Sequence, residues 1–103
     1  MKVQLAEEVE VRENELKELD FFGRPAIAFK QEGRVTVYLN MCTHLGGPLQ
    51  LGEDKVTLNC QWHGACFAAR TGKAVCKPAP TESHLIRLPT RVEDGKIFYI
   101  YGE

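Results

Sequence analysis

The 103-residue chain has no run of about 18 apolar residues, so it offers no candidate membrane-spanning helix. It also lacks a basic excess. Thirteen Lys and Arg stand against 14 Asp and Glu, a formal net charge of −1. Proteins whose main partner is nucleic acid generally carry a strong positive balance. The opening stretch, MKVQLAEEVE, has no apolar segment of the secretory type, and acids begin at Glu7. These absences read as a cytoplasmic protein. Internal repeats and low-complexity tracts are missing too. So are Cys-x-x-Cys and His-x3-His, spacings that often mark structural zinc knuckles. No separate acid–base pair is evident that would make the chain an enzyme in its own right.

What is present is the composition of a folded domain. Hydrophobic residues make up 44% and charged residues 26%, which excludes a disordered chain. The length suffices for one domain with one modest core. Strand signals dominate. Val35, Val37 and Leu39 alternate with Thr36 and Tyr38, a period of two. Ala26 to Phe29 form a similar run, and Gln31-Glu32-Gly33 predicts the turn between them. Lys96 to Tyr101 is β-branched and aromatic, and Asp94-Gly95 before it predicts a hairpin with Pro89 to Val92. Thr71-Gly72 predicts another hairpin between residues 65–69 and 73–76. Residues 7–19 fit neither period, and a helical turn there is compatible with the pattern. Many short strands with close turns predict an all-β sandwich or small barrel.

Charge and turn residues are unevenly spread. The balance is −2 over residues 1–40, +2 over 41–80 and −1 over 81–103. The acids between Glu7 and Asp20 read as a solvated face. Glycine and proline concentrate at Gly46-Gly47-Pro48, Gly64, Gly72 and Pro78-Ala79-Pro80, the stretch that also holds all four cysteines. A loop-rich region on a β scaffold follows, and loops are where function tends to sit.

Two segments carry the chemistry. One is Cys42-Thr43-His44-Leu45-Gly46-Gly47-Pro48-Leu49, the other Cys60-Gln61-Trp62-His63-Gly64. Each offers one thiolate and one imidazole. Cys42 and His44 are two apart, so an extended loop points both the same way. Cys60 and His63 are three apart, which asks for a tight turn, and Gly64 permits a close bend. Four soft or borderline donors on two loops make a closed metal site, with zinc or an iron–sulfur cluster as the occupant.

Cys-x-His, a spacer of fifteen residues, then Cys-x-x-His resembles the Rieske iron–sulfur motif. The resemblance extends to Arg70-Thr71-Gly72, to Lys77-Pro78-Ala79-Pro80 and to Val92-Glu93-Asp94-Gly95 before the final strand, so it covers nearly the whole chain. A stand-alone, low-potential Rieske-type ferredoxin of the oxygenase kind is what it resembles. That implies a Rieske-like β-sandwich, with a basal part of about 1–40 and 81–103 and a cluster-binding part of about 41–80. It implies one [2Fe-2S] cluster, with Cys42 and Cys60 on one iron and His44 and His63 on the other. It further implies a one-electron carrier that serves a flavin reductase and a terminal aromatic-ring oxygenase through transient contacts, with no nucleic acid and no membrane. Alternatives are a Rieske subunit of a complex such as nitrite reductase, or a zinc-binding structural module.

High-potential Rieske proteins place a serine two residues after the second histidine ligand and a tyrosine two further on; Ala65 and Phe67 stand there in this chain. Those proteins also join the two loops by a disulfide, where this chain has Gly47 and Trp62. The resemblance therefore implies a potential near the low end of the Rieske range. Cys66 and Cys76 match no ligand position and lie equally far from Thr71. They read as buried reduced thiols, with a cross-strand disulfide as the alternative. His84 reads as structural or exposed. Trp62 reads as loop packing or as a partner contact, and Pro78-Ala79-Pro80, by the resemblance, as a cover over the cluster.

Overall fold

The structure, a computed structural model, describes residues 2–40, 48–61, 65–76 and 84–101. The fold is all-β, with a single 3₁₀ turn at Glu8–Glu10 among the described residues. The chain divides into two compact units. One comprises Met1–Leu39 and Arg87–Glu103, the other Asn40–Ile86.

The first unit holds β1 (Lys2–Glu7), β2 (Leu16–Phe21), β3 (Arg24–Gln31) and β4 (Arg34–Leu39). After the second unit's strands, numbered β5 to β8, it adds β9 (Arg87–Leu88), β10 (Thr90–Glu93) and β11 (Lys96–Ile100). These form two antiparallel sheets, of order β1-β11-β10 and β2-β3-β4-β9. Pro89 is where the chain leaves one sheet for the other, and its carbonyl accepts the Ile100 N–H at 3.0 Å. Ala6 and Ile97 of the first sheet pack with Ala26, Ala28, Val37, Leu39 and Leu88 of the second. That is the sandwich core.

Three hairpins in this unit close with one chemistry. Phe22-Gly23, Glu32-Gly33 and Asp94-Gly95 all have positive φ at both positions. Such two-residue turns match the right-handed twist of the strands they join. A Cβ built on any of these three glycines would meet nothing within 4 Å, so the backbone conformation selects glycine, not crowding. Phe22 is the unusual member. A bulky residue rarely adopts a left-handed conformation, yet it does so here and is largely exposed.

The expected strands at 26–29, 35–39 and 96–101 are present, as are the turns at 31–33 and 94–95. The 3₁₀ turn falls inside the stretch that fitted neither period. Strand β2, which begins in that stretch and runs on to Phe21, was not legible, and neither was β1. The alternation over 35–39 does not mark a half-exposed strand: Thr36, Val37, Tyr38 and Leu39 are all buried. β4 is an inner strand, covered on both faces. Burial pushes the Tyr38 hydroxyl up to about 12, against a smaller opposing pull from the Arg87 guanidinium.

The second unit is one antiparallel sheet of order β5-β6-β7-β8, made of Leu49–Leu51, Thr57–Cys60, Cys66–Ala68 and Ala74–Cys76. Its strands are three or four residues long. Leu49, Leu58, Cys60, Ala65, Phe67, Ala69 and Leu85 are its buried apolar residues. The β5–β6 turn is organised by Asp54. Its carboxylate accepts the Val56 N–H at 3.0 Å, the Thr57 N–H at 3.1 Å and the Thr57 hydroxyl at 2.9 Å, and these bonds hold it below the usual carboxylate range. Gly52 is demanded by space: a Cβ there would lie 2.6 Å from Thr57 Oγ1.

Candidate metal centre

Of the four predicted ligands, Cys60 lies within the described residues; Cys42, His44 and His63 lie outside them, as do Gly47 and Trp62 and the Pro78-Ala79-Pro80 stretch. Among the described residues no three metal-ligating side chains come together. The structure does describe the frame from which the segments with the predicted ligands depart, and that frame is specific.

Cys60 ends β6 and is buried, with 3% of its surface exposed. Its N–H donates to the Ala65 carbonyl at 2.7 Å, so the two ends of the 61–64 segment are tied. The Leu49 N–H donates to the Asn40 side-chain Oδ1 at 2.9 Å, which ties the ends of the 41–48 segment. The two segments are then joined to each other at their roots. Leu49 pairs with Cys60 in the β5–β6 ladder, and the Gln61 N–H donates to the Pro48 carbonyl at 3.0 Å. A side-chain bond from Gln61 Nε2 to Gln50 Oε1, 2.7 Å, lies beside these. A third tie joins the strand pair on the other side. The Leu85 N–H donates to the Gly72 carbonyl at 2.8 Å, and His84 bridges Lys73, which closes the 77–83 segment.

The hairpin expected around Thr71-Gly72 is present. The Ala68 N–H donates to the Lys73 carbonyl at 2.8 Å and the Gly72 N–H to the Ala68 carbonyl at 2.7 Å. Ala65 and Phe67, at the positions where high-potential relatives carry hydroxyls, are both fully buried. Neither side chain can donate a hydrogen bond.

Cys66 and Cys76 correct the sequence reading. They are neither buried nor reduced: Cys66 is half-buried, Cys76 is exposed, and the two are joined as a disulfide. They are register partners across β7 and β8, with Cα atoms 5.2 Å apart, inside the range a disulfide spans. The equal distances from Thr71 point to this facing pair, and the alternative of a cross-strand disulfide holds over the reduced thiols that a reducing compartment favours. His84 is exposed, with Nδ1 3.4 Å from the Leu85 carbonyl oxygen. Asn40, the residue that ties the first segment, was missed. Its signal was a side-chain acceptor immediately before the first ligand-bearing stretch.

The Rieske [2Fe-2S] domain profile matches residues 1–93. This chain belongs to the Rieske [2Fe-2S] family. It is 37% identical over 82 residues to the 3-phenylpropionate/cinnamic acid dioxygenase ferredoxin subunit of Photorhabdus laumondii, covering 77% of this chain and 76% of that one. Its fold is similar to the ferredoxin of Sphingomonas yanoikuyae B1, with a TM-score of 0.81, 25% identity and coverage of 99% and 100% of the two chains. It is also similar in fold to the ferredoxin of carbazole 1,9a-dioxygenase from Nocardioides aromaticivorans IC177, with a TM-score of 0.78, 17% identity and 96% of each chain covered. The cofactor of this Rieske domain is one [2Fe-2S] cluster, and the domain is an electron-transfer component; a zinc module is no longer the reading.

The residues present fit that group. Two of the chain's four cysteines are spent in the Cys66–Cys76 disulfide. Two thiols remain, Cys42 and Cys60, so four-cysteine ligation is closed to this chain. A cluster with two nitrogen ligands is compatible with what is left. Among the described residues no helix is long and apolar enough to cross a membrane.

Proposed function

We propose that this Rieske ferredoxin carries single electrons from a flavin-containing reductase to a terminal oxygenase that acts on aromatic compounds, in the cytoplasm and not as an enzyme itself. Cys42 and Cys60 hold one iron, and His44 and His63 the other. The observation that carries the ligand assignment is the joining of two segment roots at Leu49–Cys60 and Pro48–Gln61. It gives the Cys-x-His and Cys-x-x-His stretches a common origin in one sheet. Of the three histidines, His84 lies outside both motifs, which leaves His44 and His63.

The cluster, when bound, supplies a one-electron couple. The chain sets its conditions. Two thiolates instead of four make the centre less negative, which favours the added electron and raises the potential above that of four-cysteine ferredoxins. Ala65 and Phe67 offer no hydroxyl to a cluster sulfur, which pulls the other way. Known Rieske centres span about −150 to +300 mV, and this chain belongs near the lower limit of that known span. The name of the Photorhabdus relative supports the oxygenase as acceptor. The +2 balance over residues 41–80 supplies mild steering toward an acidic partner.

The test is electron paramagnetic resonance of the reduced, anaerobically purified protein, with iron and sulfide assayed on the same sample. A Rieske-type signal with about two irons and two sulfides per chain is expected. Mixing the reduced protein with a purified aromatic-ring oxygenase should oxidise it in one-electron steps. A silent spectrum, or a potential above zero, overturns the assignment.

A further inference from the structure

We infer that the Cys66–Cys76 disulfide is a thiol-exchange site, open to a dithiol reductant, that clamps the frame of the cluster-bearing segments. The bond lies at the open end of the β7–β8 hairpin. That ladder has two register pairs, Cys66 with Cys76 and Phe67 with Ala74, and a bulge lies between them. β8 is the edge strand of its sheet, and two of its three residues, Val75 and Cys76, are exposed. Little apolar burial therefore holds β8 in place, and the covalent bond adds to a short ladder and a few main-chain bonds. Cys76 is the more exposed residue of the pair, the side from which an incoming thiolate has access.

The bond sits where its opening would be felt. Cys66 follows Ala65, whose carbonyl receives the Cys60 N–H. Cys66 also pairs with Asn59 across β6 and β7, next to Cys60 itself. Cys76 directly precedes the 77–83 segment. One disulfide thus connects the root of a ligand-bearing turn to the root of the neighbouring segment. The cytoplasm proposed above for this chain holds dithiol reductants such as thioredoxin. In such surroundings exposed disulfides are the exchangeable ones.

The exchange balances. A thiolate of the dithiol attacks Sγ of Cys76, forming a mixed disulfide as the Cys66–Cys76 bond breaks. Cys66 leaves as a thiolate and takes a proton. The second thiolate of the reductant then displaces Cys76, which is protonated in turn. The chain gains two electrons and two protons, and the reductant becomes a disulfide. With the clamp open, β8 is free to leave β7, and the Cys60–Ala65 turn loses its covalent neighbour.

This inference rests on the assignment of Cys60 and His63 as ligands. The experiment uses the intact holoprotein. It is treated with reduced thioredoxin, or with buffer, and alkylated under denaturing conditions for mass spectrometry. In parallel, cluster loss to an iron chelator is followed by visible absorbance. The expected result is a bond between Cys66 and Cys76 in the untreated protein, opened by thioredoxin, with cluster loss on the order of tenfold faster after opening, as removal of a loop constraint predicts. The Cys66→Ser/Cys76→Ser double variant should lose its cluster at the fast rate with or without thioredoxin. The inference is overturned by reduced Cys66 and Cys76 in the untreated holoprotein, by a bond that thioredoxin leaves intact, or by equal rates of cluster loss. The treated wild-type protein decides the matter even if the double variant does not fold. Protein isolated without iron, even after anaerobic reconstitution, would defeat the ligand assignment and this inference with it, whereas loaded protein with unchanged rates defeats the inference alone.

Discussion

The two units solve the problem of a small core in different ways. The larger one runs strands of up to eight residues, closes three hairpins with the same left-handed pair, and buries a shared apolar layer between two sheets. The smaller one has strands of three or four residues and relies on point ties: Asn40 to Leu49, Cys60 to Ala65, Gly72 to Leu85, and one disulfide. Area burial is non-directional and tolerant, while point ties are directional and individually costly to lose. The difference teaches where precision is needed. The proposed site, with four ligands on two segments, requires fixed segment roots, and fixed roots come from directed bonds.

The largest expected effect lies in the smaller unit. Cys60→Ser should abolish cluster binding, with iron at background by colorimetric assay and the β-type circular dichroism retained, whereas His84→Asn should keep its full iron. Full iron in Cys60→Ser would break the contrast between a scaffold unit and a site unit. Next come paired core truncations. Phe29→Ala in the larger unit and Phe67→Ala in the smaller should each cost about 3–5 kcal/mol, read from urea unfolding, because both side chains are fully buried. Only Phe67→Ala should also speed iron loss to a chelator in protein that is still folded; equal rates in the two variants would erase the distinction.

How much of this was legible beforehand differs between the units as well. The strands with dense β-branched and aromatic residues, β4 and β11, announced themselves, and so did the Asp94-Gly95 turn. β2 did not, because it is an edge strand whose Lys17, Glu18 and Asp20 face solvent, which dilutes its apolar signal. β5 did not, because three residues carry no period and its pairing with β6 depends on a distant partner. At the site, the proposed ligand types and their spacing form a local motif that the sequence alone displays. The Cys66–Cys76 bond was open as an alternative from the equal spacing about Thr71, while the Asn40 tie was not readable, since it depends on which residues the fold brings face to face.

A smaller effect tests one tie alone. Asn40→Ala removes the acceptor of the Leu49 N–H and should cost about 1 kcal/mol. Its signature should be faster iron loss out of proportion to that modest change in the urea midpoint. An unaltered iron-loss rate would mean that the first segment's root is held by something else.

The smallest effect concerns pH and belongs to the larger unit. The Tyr38 hydroxyl is pushed up to about 12 in the folded chain, against an ordinary value of 10.0. Between those two values the unfolded chain releases this proton while the folded chain keeps it. The linked stability is therefore complete below pH 10 and is lost as the pH rises toward 12. Urea unfolding at pH 9 and 11 should show a decline in the wild type that is shallower in Tyr38→Phe. Identical declines would remove Tyr38 as the cause.

The tied roots have a consequence for design. Asn40 and Leu49, Cys60 and Ala65, and Gly72 and Leu85 are each fastened by a bond that uses backbone atoms or a residue outside the ligand motif. Together they make a socket held by bonds of its own. The stretches between them can then be exchanged for those of another centre, with different ligands or a different reach toward a partner, while the sheet beneath keeps its register. A chain of this size would serve as an interchangeable mount for redox loops, with the ties, the Cys60 main chain among them, as the part to leave untouched.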